Sequence, residues 1–318
     1  MGYFCKICGN KESNQFYDVR EMQFGTRDKF IYCQCSSCGC LQLTNPPADL
    51  SHYYPAKYFS FQLPKGKYIK KKLNVYRDRY SFGIPSLIGR IIFAKYGAPT
   101  YINWLNEMDV TLTSSILDVG SGVGKLLYRM GDAGFNNLTG IDAFIEQDII
   151  YANGVKILKK SLFEISEKFD LVMLHHSLEH MDDQHSVFKK LSTMLDPGKF
   201  LFIRIPICSS FAWEYYKENW FALEAPRHFV NHSLKSLNYL AEKYGFVVKK
   251  TIYDSRSIQL YGSEQYKQNI PLMNDRSYFV NPGNSIFTHT QMQEFEKETK
   301  RLNETGMGDQ AGFFLVKR

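Results

Sequence analysis

The sequence predicts an α/β protein, a doubly wound sheet preceded by a small cysteine-rich metal module. Three observations carry this. A short apolar strand runs into a glycine loop and then a helix over Ser115–Ala133. Apolar strands and helical stripes alternate from there towards the end of the chain. Six of the seven cysteines fall within the first forty residues. At 318 residues the chain accommodates one large domain and an accessory module. The expected boundaries are a knuckle module over 1–45, a linker with helices over 46–112, and a main domain over 113–318 with insertions at 207–231 and 257–307.

The first element is the cysteine module. Cys5-Lys-Ile-Cys8 and Cys35-Ser-Ser-Cys38 are two C-x2-C knuckles, each followed by glycine, with 26 residues between them. Two such turns supply four thiolates to one ion, the tetrahedral set that zinc prefers. Cys5, Cys8, Cys35 and Cys38 are therefore the expected ligands of a structural zinc, with Cys33 and Cys40 as rival thiols. The spacer leaves room for a hairpin. A closed four-cysteine site has no position for a substrate, so its expected role is folding.

The linker opens with the breaker Asn45-Pro46-Pro47 and carries an aromatic stretch, His52–Phe59, read as packing rather than as a substrate platform. Its basic run, Lys65–Lys72, is the densest in a chain of net charge +7, and reads as a solvated face rather than a nucleic-acid surface. Over Pro85–Asn106 the residues Leu87, Ile88, Ile91 and Ile92 follow a helical pattern. No membrane span is expected, since apolar stretches such as Phe200–Ile207 are short and interrupted by Arg204 and Pro206. The N-terminus lacks the apolar centre of a signal peptide. The expectation is a cytoplasmic protein.

The core begins at Ser115–Val119, followed by Gly120-Ser-Gly122-Val-Gly124 and a helix over Lys125–Ala133. Leu138–Asp142 reads as a second strand ending in a carboxylate, suited to the two hydroxyls of a ribose. Two features point away from a dinucleotide. Asp118, just before the glycines, would repel a pyrophosphate but suits a cationic ligand. The loop also lacks the G-x-G-x-x-G spacing.

With these segments, and with KFDLVMLHHSLEHM and LDPGKFLFIRIP downstream, residues Ser115–Pro206 resemble the class I methyltransferases that use S-adenosylmethionine. The segment Ala225-Pro-Arg-His-Phe-Val-Asn-His-Ser233 resembles a bacterial subgroup that joins a cysteine-knuckle module to this core and is common in glycan and sugar biosynthesis. The resemblance implies a Rossmann-like, seven-stranded sheet. It implies that Gly120, Gly122 and Gly124 shape the loop around the methionine moiety, that Asp118 helps hold its amino group, and that Asp142 holds the ribose. Ser161 and Leu162 stand where such enzymes contact adenine, although the family usually has an acidic residue near Ser161. His175 and His176 would sit beside the methyl donor.

The remaining strands are Phe169–Leu174, Lys199–Ile205 and a final antiparallel strand over Ala311–Val316. Leu234, Leu237, Leu240 and Ala241 form a helical stripe between Ser233 and Gly245. A surface helix over Gln291–Asn303, with a Glu296/Lys300 pair, reads as part of a lid or of a homodimer contact.

Methyl transfer to a hydroxyl needs a positioned acceptor and a base. The candidates are His176, Glu179, His180 and His228. Arg227 is read as a phosphate holder. Trp213 and Trp220 are read as packing before platform. The expected activity is methylation of a saccharide or sugar nucleotide at oxygen with a histidine base. The alternatives are C-methylation of a nucleotide-linked keto sugar, and RNA methylation with the cysteine module as RNA binder. The expected partner is a small-molecule or glycan acceptor.

Overall fold

The computed structural model describes residues 3–54 and 68–318. Tyr58, Phe59, Lys65 and Lys67 of the aromatic stretch and basic run lie outside the described residues, as do the side chains of Lys70, Lys71 and Lys72. The strands are β1 (Gln15–Arg20), β2 (Lys29–Gln34), β3 (Leu41–Leu43), β4 (Ile116–Val119), β5 (Leu138–Ile141), β6 (Ile149–Ile150), β7 (Lys156–Leu158), β8 (Phe169–His175), β9 (Leu195–Pro206), β10 (Val230–Asn231), β11 (Phe246–Tyr253) and β12 (Gln310–Lys317). The α-helices are α1 (Tyr68–Ser81), α2 (Leu87–Tyr96), α3 (Thr100–Leu105), α4 (Lys125–Ala133), α5 (Gln184–Thr193), α6 (Phe211–Tyr216), α7 (Leu234–Lys243), α8 (Ile258–Lys267) and α9 (His289–Glu304). Among the described residues no helix is long and apolar enough to cross a membrane.

Hydrogen bonding orders eight strands as β11-β12-β9-β8-β4-β5-β7-β6. Strand β4 pairs in parallel with both β5 and β8, and β5 with β7. This is a Rossmann-like sheet, as the resemblance implies, with one strand more than the seven expected. The addition is β6, two residues paired antiparallel with β7. Two residues carry no periodicity, so no sequence pattern announces such an edge.

By compactness the chain falls into two units. One, here the cysteine unit, comprises Met1–Pro55, His176–Lys189 and Ile203–Phe313. The other, the glycine-loop unit, comprises Ala56–His175, Lys190–Phe202 and Phe314–Arg318.

In the glycine-loop unit, β4 is buried along its whole length, as expected of a central parallel strand. The helix α4 occupies the expected residues and buries Leu127, Met130 and Ala133. The helical segment over Pro85–Asn106 divides into α2 and α3 around Gly97 and Pro99. Its apolar pattern misleads: Leu87, Ile88 and Ile91 are exposed, Leu87 at 75%. The buried residue of α2 is Gly89, over which the Tyr76 carbonyl oxygen of α1 lies too close for any Cβ. Close backbone approach, not the aliphatic stripe, decides which face meets α1.

In the cysteine unit, β1, β2, β3 and β10 form a second sheet, and the β1–β2 hairpin fills the spacer between the knuckles. Its core gathers Tyr32, Leu41, Leu43, Trp213, Trp220 and Leu260. Trp213 and Trp220 are therefore packing, with ring centroids 6.2 Å apart. Helix α7 is capped by Ser233 and buries Leu237, Leu240 and Ala241. On α9 the Glu296/Lys300 pair does not form. Glu296 accepts from Ser257 at 2.5 Å and Lys300 faces Glu304 at 3.8 Å.

A buried polar tie of the glycine-loop unit is Asp78 on α1. Its buried carboxylate receives Arg129 through Nε at 2.5 Å and Nη2 at 2.9 Å, and the Tyr101 hydroxyl at 3.0 Å. Removing one partner of such a pair strands the other charge. Because Arg129 stays 37% exposed, Asp78→Ala is expected to cost about 3 kcal/mol, the low end for a buried pair. Denaturant unfolding checks this, and a loss below ~1 kcal/mol would contradict the role given to Asp78.

Candidate functional site

The predicted cofactor residues lie beyond the carboxyl ends of β4, β5, β7 and β8, which the sheet order makes neighbours. Gly120, Gly122 and Gly124 have φ of +73°, +55° and +70°. These left-handed values explain why the loop is built from glycine. At Gly124 a Cβ would also collide with the Ile157 side chain. The loop is anchored by backbone bonds from Gly120 and Ser121 to the Ile141 carbonyl, at 2.8 and 3.1 Å.

Asp142 completes the anchor. Its Oδ2 accepts from the Gly122 N–H at 2.9 Å and its Oδ1 from the Phe144 N–H at 2.8 Å. Each oxygen keeps further lone pairs that can accept a hydroxyl. Asp118 is buried, and its Oδ1 has no hydrogen-bond partner. Burial, with the Asp142 charge adding to it, pushes the Asp118 carboxyl up to about 8. Asp118 is thus protonated near pH 7, and a cationic ligand would favour its ionised form.

Ser161 caps a short 3-10 turn, Leu162–Glu164, with its N–H donating to the Glu164 carboxylate at 2.7 Å. The acidic group missing at position 161 is thus present three residues on. His175 ends β8 with its ring against Trp104 and Phe202, centroids 5.2 and 5.3 Å away. The sequence reading missed Phe144, which is 83% exposed two residues after Asp142 and offers a bare aromatic face. Its position directly after the strand-ending acid was the available signal.

The predicted catalytic residues belong to the cysteine unit, which brings them together. His176 has a left-handed φ of +52°, and its Nδ1 lies 3.4 Å from the buried Glu179 carboxylate. The rings of His180 and His228 meet edge to face, with centroids 4.7 Å apart. His180 Nδ1 is 2.9 Å from the Arg227 carbonyl and His228 Nδ1 is 2.9 Å from the Ala222 carbonyl. Burial lowers both imidazoles to about 4, so they are neutral near pH 7. Burial alone would raise Glu179, but His176 and the other imidazoles outweigh it and hold the carboxyl at about 2.

Arg227 does not keep the role of phosphate holder. Its guanidinium is buried and bonds to Gln23, to Glu224 at 3.4 Å and to the Tyr53 carbonyl at 3.3 Å. The preceding Glu224 and its left-handed backbone turn this side chain inward. A sequence cannot show that turn.

The knuckles have the geometry of a metal site. Gly9 and Gly39 donate to the carbonyls of Cys5 and Cys35 at 2.9 and 2.8 Å. The N–H groups of Cys8 and Cys38 point at the sulfurs of Cys5 and Cys35, at 3.5 and 3.4 Å. Cys5 and Cys38 Sγ are 3.6 Å apart and Cys8 and Cys35 Sγ 3.5 Å. Zinc–sulfur bonds of about 2.3 Å at tetrahedral angles require roughly 3.8 Å between sulfurs, so the four thiols could hold zinc. Cys40 is a fifth thiol, 3.7 Å from Cys5 and 3.4 Å from Cys38, and Gln42 Nε2 donates to both Cys5 and Cys40.

Known proteins resemble parts of this chain. Residues 93–251 match the family model described as a methyltransferase domain. The chain is 31% identical over 90 residues to EEF1A lysine methyltransferase 2 of Danio rerio, covering 28% of this chain and 36% of that protein. It is 30% identical over 117 residues to the ubiquinone biosynthesis O-methyltransferase of Bordetella avium, covering 33% of this chain and 48% of that protein. The chain thus spans between a third and a half of the length of these curated relatives. Among solved structures, the cyclopropane synthase MmaA2 of Mycobacterium tuberculosis is similar at 13% identity and a TM-score of 0.43, over 79% of this chain and 99% of that one. The magnesium protoporphyrin IX methyltransferase of Synechocystis is similar at 16% identity and a TM-score of 0.41, over 64% and 91%. Since the family match takes in half of the 318 residues, from the helix before the glycine loop to the strand after α7, the chain belongs to the methyltransferase-domain family.

Proposed function

We propose that the protein transfers a methyl group from S-adenosylmethionine to a hydroxyl of a saccharide or sugar nucleotide. The observation that carries the donor half is the carboxylate pair at the glycine loop. Asp142 pins the loop and keeps lone pairs for the ribose hydroxyls. Asp118 is buried with its Oδ1 unpartnered, and the positively charged amino group of the methionine moiety would favour its ionised form. Phe144 offers an exposed face for adenine, the group that Ser161 and Leu162 are also expected to contact. The donor supplies an electrophilic methyl group on a sulfonium.

In the transfer the sulfur–carbon bond breaks, an oxygen–carbon bond forms and the hydroxyl proton leaves. Proton removal falls to the cluster of Glu179, His180 and His228, whose neutral imidazoles keep one nitrogen able to accept. The choice of oxygen is supported by the O-methyltransferases among the relatives. The saccharide rests on the resemblance of Ala225–Ser233 to glycan-pathway enzymes. Cys5, Cys8, Cys35 and Cys38 would hold a structural zinc that stabilises the cysteine unit, as the paired sulfur distances and N–H···S contacts support.

Asp142→Ala is expected to weaken S-adenosylmethionine binding at least ~100-fold by calorimetry, since it removes both the loop anchor and the ribose acceptor. Unchanged affinity in a folded variant would remove the donor site from this loop.

Asp118 gives that binding a pH dependence. The free protein holds a proton on Asp118 below pH 8, and a cationic ligand favours the ionised form. Binding therefore releases the proton, and affinity should rise from pH 6 to pH 8 by up to about tenfold per unit. Asp118→Asn should abolish this slope. A slope that survives the substitution would show another group responsible.

The zinc assignment is read with cobalt. The cobalt-loaded protein should show intense thiolate-to-metal absorption, and Cys35→Ser should weaken it. Absence of that absorption in the parent protein would overturn the four-thiolate site.

A further inference from the structure

We propose that Glu179, His180 and His228 form a second metal site, which takes a divalent transition-metal ion on two imidazoles and one carboxylate. One donor atom of each lies within 4.8 Å of the others. Nitrogen and oxygen ligands sharing one ion through bonds of about 2.0–2.2 Å stand roughly 3–3.6 Å apart. A small closing rotation of these side chains therefore completes the site.

Both imidazoles are already oriented for it. His180 Nδ1 faces the Arg227 carbonyl and His228 Nδ1 faces the Ala222 carbonyl, each at 2.9 Å. A carbonyl oxygen only accepts, so these short contacts place the proton on each Nδ1, ahead of the longer ones from Asn231 Nδ2 to His228 at 3.3 Å and the Tyr54 hydroxyl to His180 at 3.4 Å. Each Nε2 then keeps its lone pair, with the Glu224 carboxylate 3.8 Å from that of His228. Donation of the far N–H to a carbonyl is the outer shell that fixes metal-ligating histidines.

The carboxylate supplies a second, independent observation. The Glu179 side chain is wholly buried, and neither oxygen accepts a hydrogen bond of ordinary geometry. The contact from His176 Nδ1 is long at 3.4 Å, and that ring is 42% exposed. Arg227, next to the cluster, is engaged by Gln23, Glu224 and the Tyr53 carbonyl, with Glu21 a further 3.9 Å contact. Its charge is therefore answered by other carboxylates. A buried carboxylate in this position calls for a cation.

A two-nitrogen, one-oxygen set suits zinc, iron(II), cobalt, nickel or manganese better than calcium or magnesium. Three protein ligands leave coordination positions open. Through one of them the ion would take the acceptor hydroxyl and lower its pKa, in place of a free imidazole base. That role rests on the methyl-transfer reading above; ion binding does not.

The test is a cobalt titration of the full chain after its resident metals have been removed. The expected result is two cobalt ions per chain, one with thiolate absorption and one with only weak ligand-field bands. E179Q and H228Q should each weaken the second at least ~100-fold while leaving the thiolate band, which also reports that the cysteine unit is folded. Binding of one cobalt ion per chain, or a second ion that persists in both variants, overturns the proposal. S-adenosylmethionine calorimetry on the parent protein reads the methyl-transfer assignment separately, so either can fail alone.

Discussion

The Asp142 carboxylate is what holds the glycine loop in one path. Three glycines with left-handed backbones have no intrinsic reason to hold one path, because their freedom is what admits the turn. Asp142 removes that freedom by accepting from Gly122 within the loop and from Phe144 on its own strand's continuation. The same charge raises the proton affinity of Asp118, fixed one strand away by the parallel β4–β5 register. One side chain thus shapes the loop and adds its charge to the burial that raises Asp118. A neutral residue there would lose both at once.

This dependence explains how much the sequence discloses. The strand, glycine loop and helix over Ser115–Ala133 are local, and each signal acts within a few residues. They were legible together with the acid at the end of β5. The face that α2 buries was not, because it is set by a carbonyl of α1 passing over Gly89 rather than by the aliphatic pattern of α2 itself. Arg227 misled for a related reason. The residue type suits phosphate, but Gln23, Tyr53 and Glu224 receive it inside the cysteine unit. Two of those three are more than 170 residues away in the chain. Edge strand β6 is too short for any pattern.

The two donor clusters of the cysteine unit show the same contrast. The thiols announce themselves because each C-x2-C knuckle is a closed local turn with its own N–H···S contacts. The cluster of Glu179, His180 and His228 depends on a residue 48 positions from His180. Its ligand types are legible in the LEH and PRH segments, but its character is not. That character comes from which ring nitrogen each backbone carbonyl claims.

Within this unit the two clusters are mechanically connected. Strand β2 lies between the knuckles in sequence, and its buried Tyr32 hydroxyl donates to the His228 carbonyl at 2.7 Å. Strand β3, directly after the second knuckle, pairs with β10, which begins two residues past His228. Ser233 donates to the Cys38 carbonyl and Cys208 to the Gly39 carbonyl, the latter at 3.2 Å. The segment from His228 to Ser233 is therefore tied to the cysteine module at several points. An ion on the four thiols would fix that hairpin, and so narrow the positions open to the His228 ring. The stabilising role expected of a closed thiolate site would then extend to the position of that imidazole.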